Sequence, residues 1–368
     1  MSEQDAPPIA ENRSTRQAFL LDGGPEAYPR MLAALGLARY AVRLEVYAFA
    51  SDGVGQRFIA ALSSAAGRGV RVTVILDGWG SAGDGGEVAA RLRDAGCQVA
   101  IYNPLTSLLA GRFRRNHRKI LIVDDEVAFL GGINIGDEYG RMGEPDVPHW
   151  LDLAVELRGP TVGWLADRLQ GARLPPPRGG VRIHLSGLGG GRLLRHRYVK
   201  AIGGARRSVV VANAYFLPDR RLVRSITAAA RRGVQVTLVL PGRSDVPLAR
   251  AASRSLYGKL LRAGVRIHEW TSTVLHAKAA VMDGRRLLIG SFNLDPLSLA
   301  NLETLVELEE PEVVADGAAW MERLVLQSRA VTEEELAARP RLARWILDLL
   351  GLAVLRVAHR IGRLLAMR

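Results

Sequence analysis

Two short stretches of this 368-residue chain carry one pattern: His117-Arg118-Lys119 with Asp124 five residues on, and His276-Ala277-Lys278 with Asp283 five residues on. Each leads to a small-residue turn bearing an asparagine, Gly131-Gly132-Ile133-Asn134 and Gly290-Ser291-Phe292-Asn293. In both copies the asparagine falls seventeen residues after the histidine. A neutral imidazole is a competent nucleophile toward phosphorus, and a second one can protonate a departing alkoxide. Lysine and asparagine side chains can stabilise the charge that grows on the nonbridging oxygens. Together these groups suit a two-step displacement at a phosphodiester, with the histidines on opposite sides of the phosphorus. Either histidine alone would read as an ordinary structural side chain; the replicated context singles out the pair.

Lysine usage sharpens the point. Of 50 basic residues only four are lysine, at 119, 200, 259 and 278. A compact ammonium is not interchangeable with a planar guanidinium, so two of the four at matching places imply a geometric demand. Asp124 and Asp283 complete the motifs and are counted with His117, Lys119, His276 and Lys278 in the catalytic set. Their place at strand-to-turn transitions also suits a carboxylate that fixes the turn or holds the lysine. Asn134, Asn293, Gly132 and Ser291 are the candidate substrate-binding positions. The histidines at 149, 184, 196, 268 and 359 lack this context and read as structural or surface residues. Neither an H-x3-H pair nor paired cysteines are present, so no metal or cofactor is expected. The single cysteine, Cys97, excludes an intramolecular disulfide and reads as buried.

The elements that must hold these residues follow from periodicity. On a strand the histidine and lysine of H-x-K share one face. The first motif lies on a strand over 119–123 that turns at Asp124-Asp125 into a second over 127–130. Upstream the pattern predicts a strand over 42–49, helix 54–66, strand 70–76, helix 86–95 and strand 97–102. The second half repeats the order: strand 208–215, helix 219–231, strand 233–240, helix 248–262 and strand 265–270. Residues 68–76 and 232–240 are plainly homologous to each other. The expected fold class is α/β, with mostly parallel sheets in two related lobes. The expected division is a polar tail over 1–16, lobes over 17–170 and 181–330, and a proline-bearing linker over 171–180. A C-terminal segment follows over 331–368.

A formal charge of +13 and a pI near 10.6 predict attraction to polyanions, either nucleic acid or an anionic membrane. No aromatic stacking stripe interleaves the basic residues, which disfavours nucleic acid. The N-terminus is polar, with no signal-like apolar run, so the default compartment is the cytoplasm. The segment 340–368 is apolar yet regularly charged. Only seven uncharged residues separate Asp348 from Arg356, against the roughly 20 needed to cross a bilayer. A membrane-surface helix fits this pattern; a helix packed on the lobes or in a dimer interface is the alternative.

The paired motifs resemble the phospholipase D superfamily, and the sequence around them resembles the bacterial cardiolipin synthases over roughly Phe19 to Glu312. Residues 215–219, 240–245, 131–139, 290–295 and 301–303 carry the likeness. The chain departs from the family pattern at 295–298, where an arginine commonly precedes the serine, and at 184–191, which lacks an expected proline. It also lacks the paired N-terminal transmembrane segments of some members and so looks like the shorter branch. The resemblance implies two tandem phospholipase D-like α/β/α lobes related by a pseudo-twofold axis. His117 would be the nucleophile, forming a phosphohistidine, and His276 the general acid and then base. Lys119, Lys278, Asn134 and Asn293 would bind phosphate, while Asp152 would orient His117 and Glu303 would orient His276. The implied activity is transfer of a phosphatidyl group from phosphatidylglycerol to a second lipid alcohol, giving cardiolipin. Hydrolysis as a phospholipase D is the alternative, and nucleic-acid phosphodiester cleavage the less favoured one. The implied partners are anionic phospholipids at the cytoplasmic face of the membrane, with peripheral attachment; the oligomeric state is left open.

Overall fold

The computed structural model describes residues 16–108, 114–144, 147–187 and 191–337. The first half contains β1 (Ala18–Asp22), α1 (Gly23–Leu37), β2 (Ala41–Val46), α2 (Gly53–Gly67), β3 (Arg71–Asp77), α3 (Gly85–Asp94) and β4 (Gln98–Tyr102). It continues through β5 (Ile120–Val123), β6 (Val127–Gly131), β7 (Leu153–Arg158) and α4 (Pro160–Leu169). The second half contains β8 (Val181–Leu185), α5 (Arg192–Gly204), β9 (Ser208–Asn213), α6 (Arg220–Arg231), β10 (Gln235–Pro241), α7 (Pro247–Arg254), α8 (Tyr257–Leu261) and β11 (Arg266–Trp270). It ends with β12 (Lys278–Met282), β13 (Arg286–Gly290), β14 (Thr304–Leu308), α9 (Pro311–Leu326), β15 (Arg329–Val331) and α10 (Glu333–Ala337).

These strands form two sheets, ordered β1-β7-β6-β5-β2-β3-β4 and β15-β11-β10-β9-β12-β13-β14-β8. Parallel pairing is confined to β2-β3-β4 and to β9-β10-β11; the remaining neighbours are antiparallel. The expectation of mostly parallel sheets is therefore corrected to mixed ones. The reason lies in the motif hairpins. Asp124 and Asp125 both have positive φ (53° and 56°), as do Asp283 and Gly284 (56° and 63°). Each pair forms a two-residue turn closed by a backbone hydrogen bond, Glu126 N–H to Val123 O and Arg285 N–H to Met282 O, both 3.0 Å. Such turns match the twist of antiparallel strands and force β5-β6 and β12-β13 into hairpins.

Local chemistry repeats between the halves as well. The Asp52 carboxylate caps α2 by accepting from Gly55 N–H (3.0 Å), and Asp219 caps α6 by accepting from Arg221 and Leu222 N–H. Both helices end at a left-handed glycine, Gly69 and Gly233, that turns the chain into the next strand. The single helix expected over 248–262 is broken between α7 and α8. There the Ser255 hydroxyl donates to Ala252 O (2.7 Å), a local bond that competes with helix continuation.

Alternating residues of the central strands serve two cores. Leu121 and Val123 pack toward the helices of the first half, whereas Ile120 and Ile122 join a core shared with β12–β14. That shared core also takes Val155, Leu157, Val306 and Leu308, so the two sheets pack face to face. Beyond the expected boundary at residue 331 the second lobe continues. Val331 pairs with Ile267, and Leu336 of α10 packs on the lobe's helical core. Of the amphipathic C-terminal segment expected over 331–368, residues 338–368 lie outside the described residues. No described helix is long and apolar enough to cross a membrane.

Candidate active site

Both motif histidines sit just outside a strand and not within it: His117 three residues before β5 and His276 two residues before β12. Each segment is zipped to the opposite lobe. His117 N–H donates to Leu302 O (2.9 Å), and Leu302 N–H donates to Arg115 O (2.9 Å). In the other half His276 N–H donates to Leu151 O (2.8 Å), and Leu151 N–H donates to Val274 O (2.8 Å). The residue after Leu302 is Glu303 and the residue after Leu151 is Asp152. The backbone register therefore brings each carboxylate to the histidine of the other motif. His117 Nδ1 lies 3.0 Å from Glu303 Oε2, and His276 Nδ1 lies 2.6 Å from Asp152 Oδ2. The sequence expectation, Asp152 with His117 and Glu303 with His276, is corrected: the pairs are crossed.

A carboxylate at Nδ1 fixes that nitrogen as the protonated one and leaves the Nε2 lone pair for chemistry. Lys278 Nζ also lies 2.9 Å from His276 Nδ1. The ammonium is a donor and cannot receive the ring proton. The Nδ1 proton is therefore assigned to Asp152, while Lys278 donates to His276 O. Lys119 makes the matching bond to His117 O (2.9 Å) and lies over the Tyr47 ring at 4.9 Å.

The remaining expected site residues divide. Asn134 Oδ1 accepts from Ala48 N–H (3.2 Å), and its Nδ2 donates to the Tyr139 hydroxyl (2.7 Å). Asn293 is buried with Oδ1 unpartnered. Gly132 and Ser291, expected at substrate, face the carboxylates instead. A Cβ at Gly132 would stand 2.2 Å from Asp152 Oδ1, so only glycine admits that carboxylate. Ser291 Oγ donates to Glu303 Oε2 (2.5 Å), and Glu303 N–H donates to Ser186 Oγ (2.6 Å).

Asp124 and Asp283 stand at the opposite ends of β5 and β12 from the histidines. Asp124 accepts from the backbone N–H groups of Arg39, Tyr40 and Ala41, and Asp283 from those of Arg206, Arg207 and Ser208. These bonds hold both carboxyls below the usual range despite some burial. The two aspartates touch neither lysine nor imidazole, so their inclusion in the catalytic set is corrected. An aspartate tolerates the left-handed turn and supplies the acceptor that anchors the start of β2 or β9.

Electrostatics at the centre are set by burial of like charges. Burial, with Lys119 and Lys278 close by, pushes the His117 imidazole well below its ordinary value. Burial and Lys278 lower His276 to about 4, against the pull of Asp152. Burial lowers Lys119 to about 7 and Lys278 to about 8, opposed by the acidic pair. Glu303 is raised to about 8 by burial. The site is a desolvated, cation-rich pocket that an incoming phosphate anion would stabilise.

Several neighbours escaped the sequence reading. Tyr47 meets His117 edge-on at 4.8 Å, and Tyr139, Trp150 and Tyr215 surround His276 at 5.4, 5.6 and 6.3 Å. The Tyr215 hydroxyl donates to Asp245 (2.5 Å), and Arg115 donates to the Tyr47 hydroxyl (3.2 Å). The available signal was position: Tyr47 and Tyr215 follow the carboxyl ends of β2 and β9, where open α/β sheets place their sites. His184 instead pairs with Glu307 (2.9 Å), among the strands. Among the described residues no group of three or more His, Cys, Asp or Glu could hold a metal ion.

Two lobes of this topology, each contributing one H-x-K half to a shared centre, define a phospholipase D-like fold. The fold is shared with the crystal structure of phosphatidylserine synthase from Haemophilus influenzae, at a TM-score of 0.73 and 15% identity over 93% of this chain and 95% of that one. The family model described as "Cardiolipin synthase, PLD-like domain" matches residues 31–141 and 198–325. Cardiolipin synthase B of Salmonella typhi is 38% identical over 318 residues, covering 79% of this chain and 76% of that protein. Cardiolipin synthase B of Escherichia coli K12 is 37% identical over 322 residues, covering 81% and 78%. The chain belongs to the cardiolipin synthase family of phospholipase D-like enzymes and is a phosphatidyltransferase of that kind.

Proposed function

We propose that the protein transfers a phosphatidyl group from phosphatidylglycerol to the free alcohol of a second phosphatidylglycerol, yielding cardiolipin and glycerol. His117 Nε2 attacks phosphorus to form the phosphohistidine, and His276, protonated at Nε2 as well when the phosphodiester anion offsets Lys119 and Lys278, donates that proton to the departing glycerol oxygen. His276 then takes the proton of the second lipid's hydroxyl as that oxygen attacks phosphorus and releases His117. Lys119 and Lys278 offset charge on the nonbridging oxygens, with Asn134 and Asn293 as neutral partners. The crossed histidine–carboxylate geometry is the observation that carries this reading. The lipid substrate implies peripheral attachment at a membrane, taken as its cytoplasmic face.

The test is incubation of purified protein with phosphatidylglycerol vesicles, with products resolved by mass spectrometry. Cardiolipin and glycerol are expected. Phosphatidic acid alone would make the protein a hydrolase, and DNA cleavage without lipid turnover would overturn the lipid reading. His117→Ala should lower both transfer and hydrolysis by about 10³-fold or more, and retained turnover would refute the nucleophile assignment.

A further inference from the structure

The net charge of the chain is not shared between its lobes. Residues 17–170 carry sixteen basic and eighteen acidic side chains, whereas residues 181–330 carry twenty-three basic and twelve acidic. The excess concentrates over 181–235, with twelve basic residues and the lone acid Asp219, although Arg206 and Arg207 stand beside Asp283 at the end away from the histidines. Asp219 is already paired with Arg195 (2.5 Å). Three arginines of the first turns of α6, Arg220, Arg221 and Arg224, are exposed.

Exposed apolar side chains are unevenly placed too. Of twelve large ones among the described residues, six lie at the end of the molecule where the histidines open: Trp79, Leu105, Leu193, Val246, Leu248 and Leu297. Trp79 and Leu105 follow the carboxyl ends of β3 and β4, and Val246 and Leu248 follow that of β10. Arg115, two residues before His117, stacks over Trp79 at 4.5 Å. Val246 adjoins Asp245, the partner of Tyr215 beside His276. Leu193 opens α5, and the preceding Gly191 N–H donates to Leu299 O (2.8 Å), two residues beyond Leu297. The same α5 end meets the start of α6 through Arg195 and Asp219, so the arginines border the apolar residues. Leu248 is 60% exposed.

We propose that this rim, apolar side chains bordered by the α6 arginines, is the surface by which the second lobe seats the active-site mouth on an anionic phospholipid bilayer. The inference deepens the phosphatidyl-transfer reading and rests on it for the choice of a lipid surface over other polyanions. Apolar side chains enter the headgroup boundary while arginines engage lipid phosphates, a division found in interfacial anchors generally. The geometry brings the buried histidines to the depth of the headgroup, so a lipid need only slide a short way to reach them. The first lobe, nearly neutral overall, contributes Trp79 and Leu105 to the rim, and the second lobe supplies the larger positive charge.

The experiment is vesicle co-sedimentation of the full chain on phosphatidylcholine alone and on an equal mixture with phosphatidylglycerol. The triple change Leu193→Asp, Val246→Asp and Leu248→Asp should lower partitioning onto the mixed vesicles by about tenfold or more, with an unchanged melting temperature. Should that variant fail to fold, Arg220→Glu, Arg221→Glu and Arg224→Glu on the exposed face of α6 should give a similar loss. Leu37→Asp with Tyr40→Asp, at the opposite end of the first sheet, should leave binding intact. Undiminished binding of the rim variants, an equal loss in the control, or equal binding of the wild type to both vesicle types would overturn the proposal. Turnover of monomeric dihexanoyl-phosphatidylglycerol by the wild type is measured in parallel. Its absence would count against the phosphatidyl-transfer reading, whereas loss of binding alone concerns the rim.

Discussion

His117 and His276 differ in the company their Nδ1 atoms keep. Glu303 is a buried carboxyl held by Ser291 and raised to about 8, whereas Asp152 sits in the notch left by Gly132. The crossed pairing gives a direct test. Asp152→Asn combined with His276→Ala should be no slower than His276→Ala alone, while Asp152→Asn combined with Glu303→Gln should lose activity multiplicatively. Single-turnover rates of the set would decide it, and coupling of Asp152 to His117 instead would return the uncrossed arrangement. The pH profile follows from the same burial. His276 must hold the proton it delivers and both lysines bind phosphate while protonated, so kcat/KM should fall as pH rises, from about 4 and more steeply through about 7 and about 8. His117 attacks when neutral and titrates well below 6.5, so the acid limb should lie below that pH. A profile still climbing at pH 9 would contradict this order of charges.

At the scale of elements, the hairpins β5-β6 and β12-β13 determine where the histidines stand. Their turns are legible in the sequence, since Asp-Asp and Asp-Gly suit two successive left-handed residues. What Asp124 and Asp283 do beyond the turn is not legible, because their acceptors reach residues 83–85 and 75–77 positions away. Asp283→Ala leaves three N–H groups without their acceptor and a non-glycine at positive φ. It should reduce stability by roughly 2 kcal/mol, while kcat of the folded fraction changes little. Urea denaturation beside active-site titration separates the two, and a thousandfold loss of kcat at unchanged stability would restore a catalytic role.

For the molecule as a whole, the decisive feature is the core shared between the two sheets. Val155, Leu157, Val306 and Leu308 belong to one cluster, so neither lobe can keep its inner face dry alone. The two lobes should therefore unfold in one calorimetric transition. Leu157→Ala, fully buried in the first lobe, should lower that single transition by about 2–5 kcal/mol of stability. Two resolved transitions, with the second unaffected, would show the lobes to be independent.

The sequence by itself determined the chemistry: two imidazoles, two scarce lysines and two asparagines at matched spacing, on repeated strands and helices. Those features are local, set by periodicity and turn preference, and so can be read without tertiary information. The tertiary structure alone decided the partners. Asp152 and Glu303 exchange histidines because each motif's backbone bonds to the opposite lobe, one residue before the carboxylate. It also decided that Gly132 and Ser291 shape the carboxylates, and which distant backbone N–H groups Asp124 and Asp283 anchor. Contacts between residues 124 or 186 positions apart follow from how two lobes pack, and no spacing within either lobe encodes them.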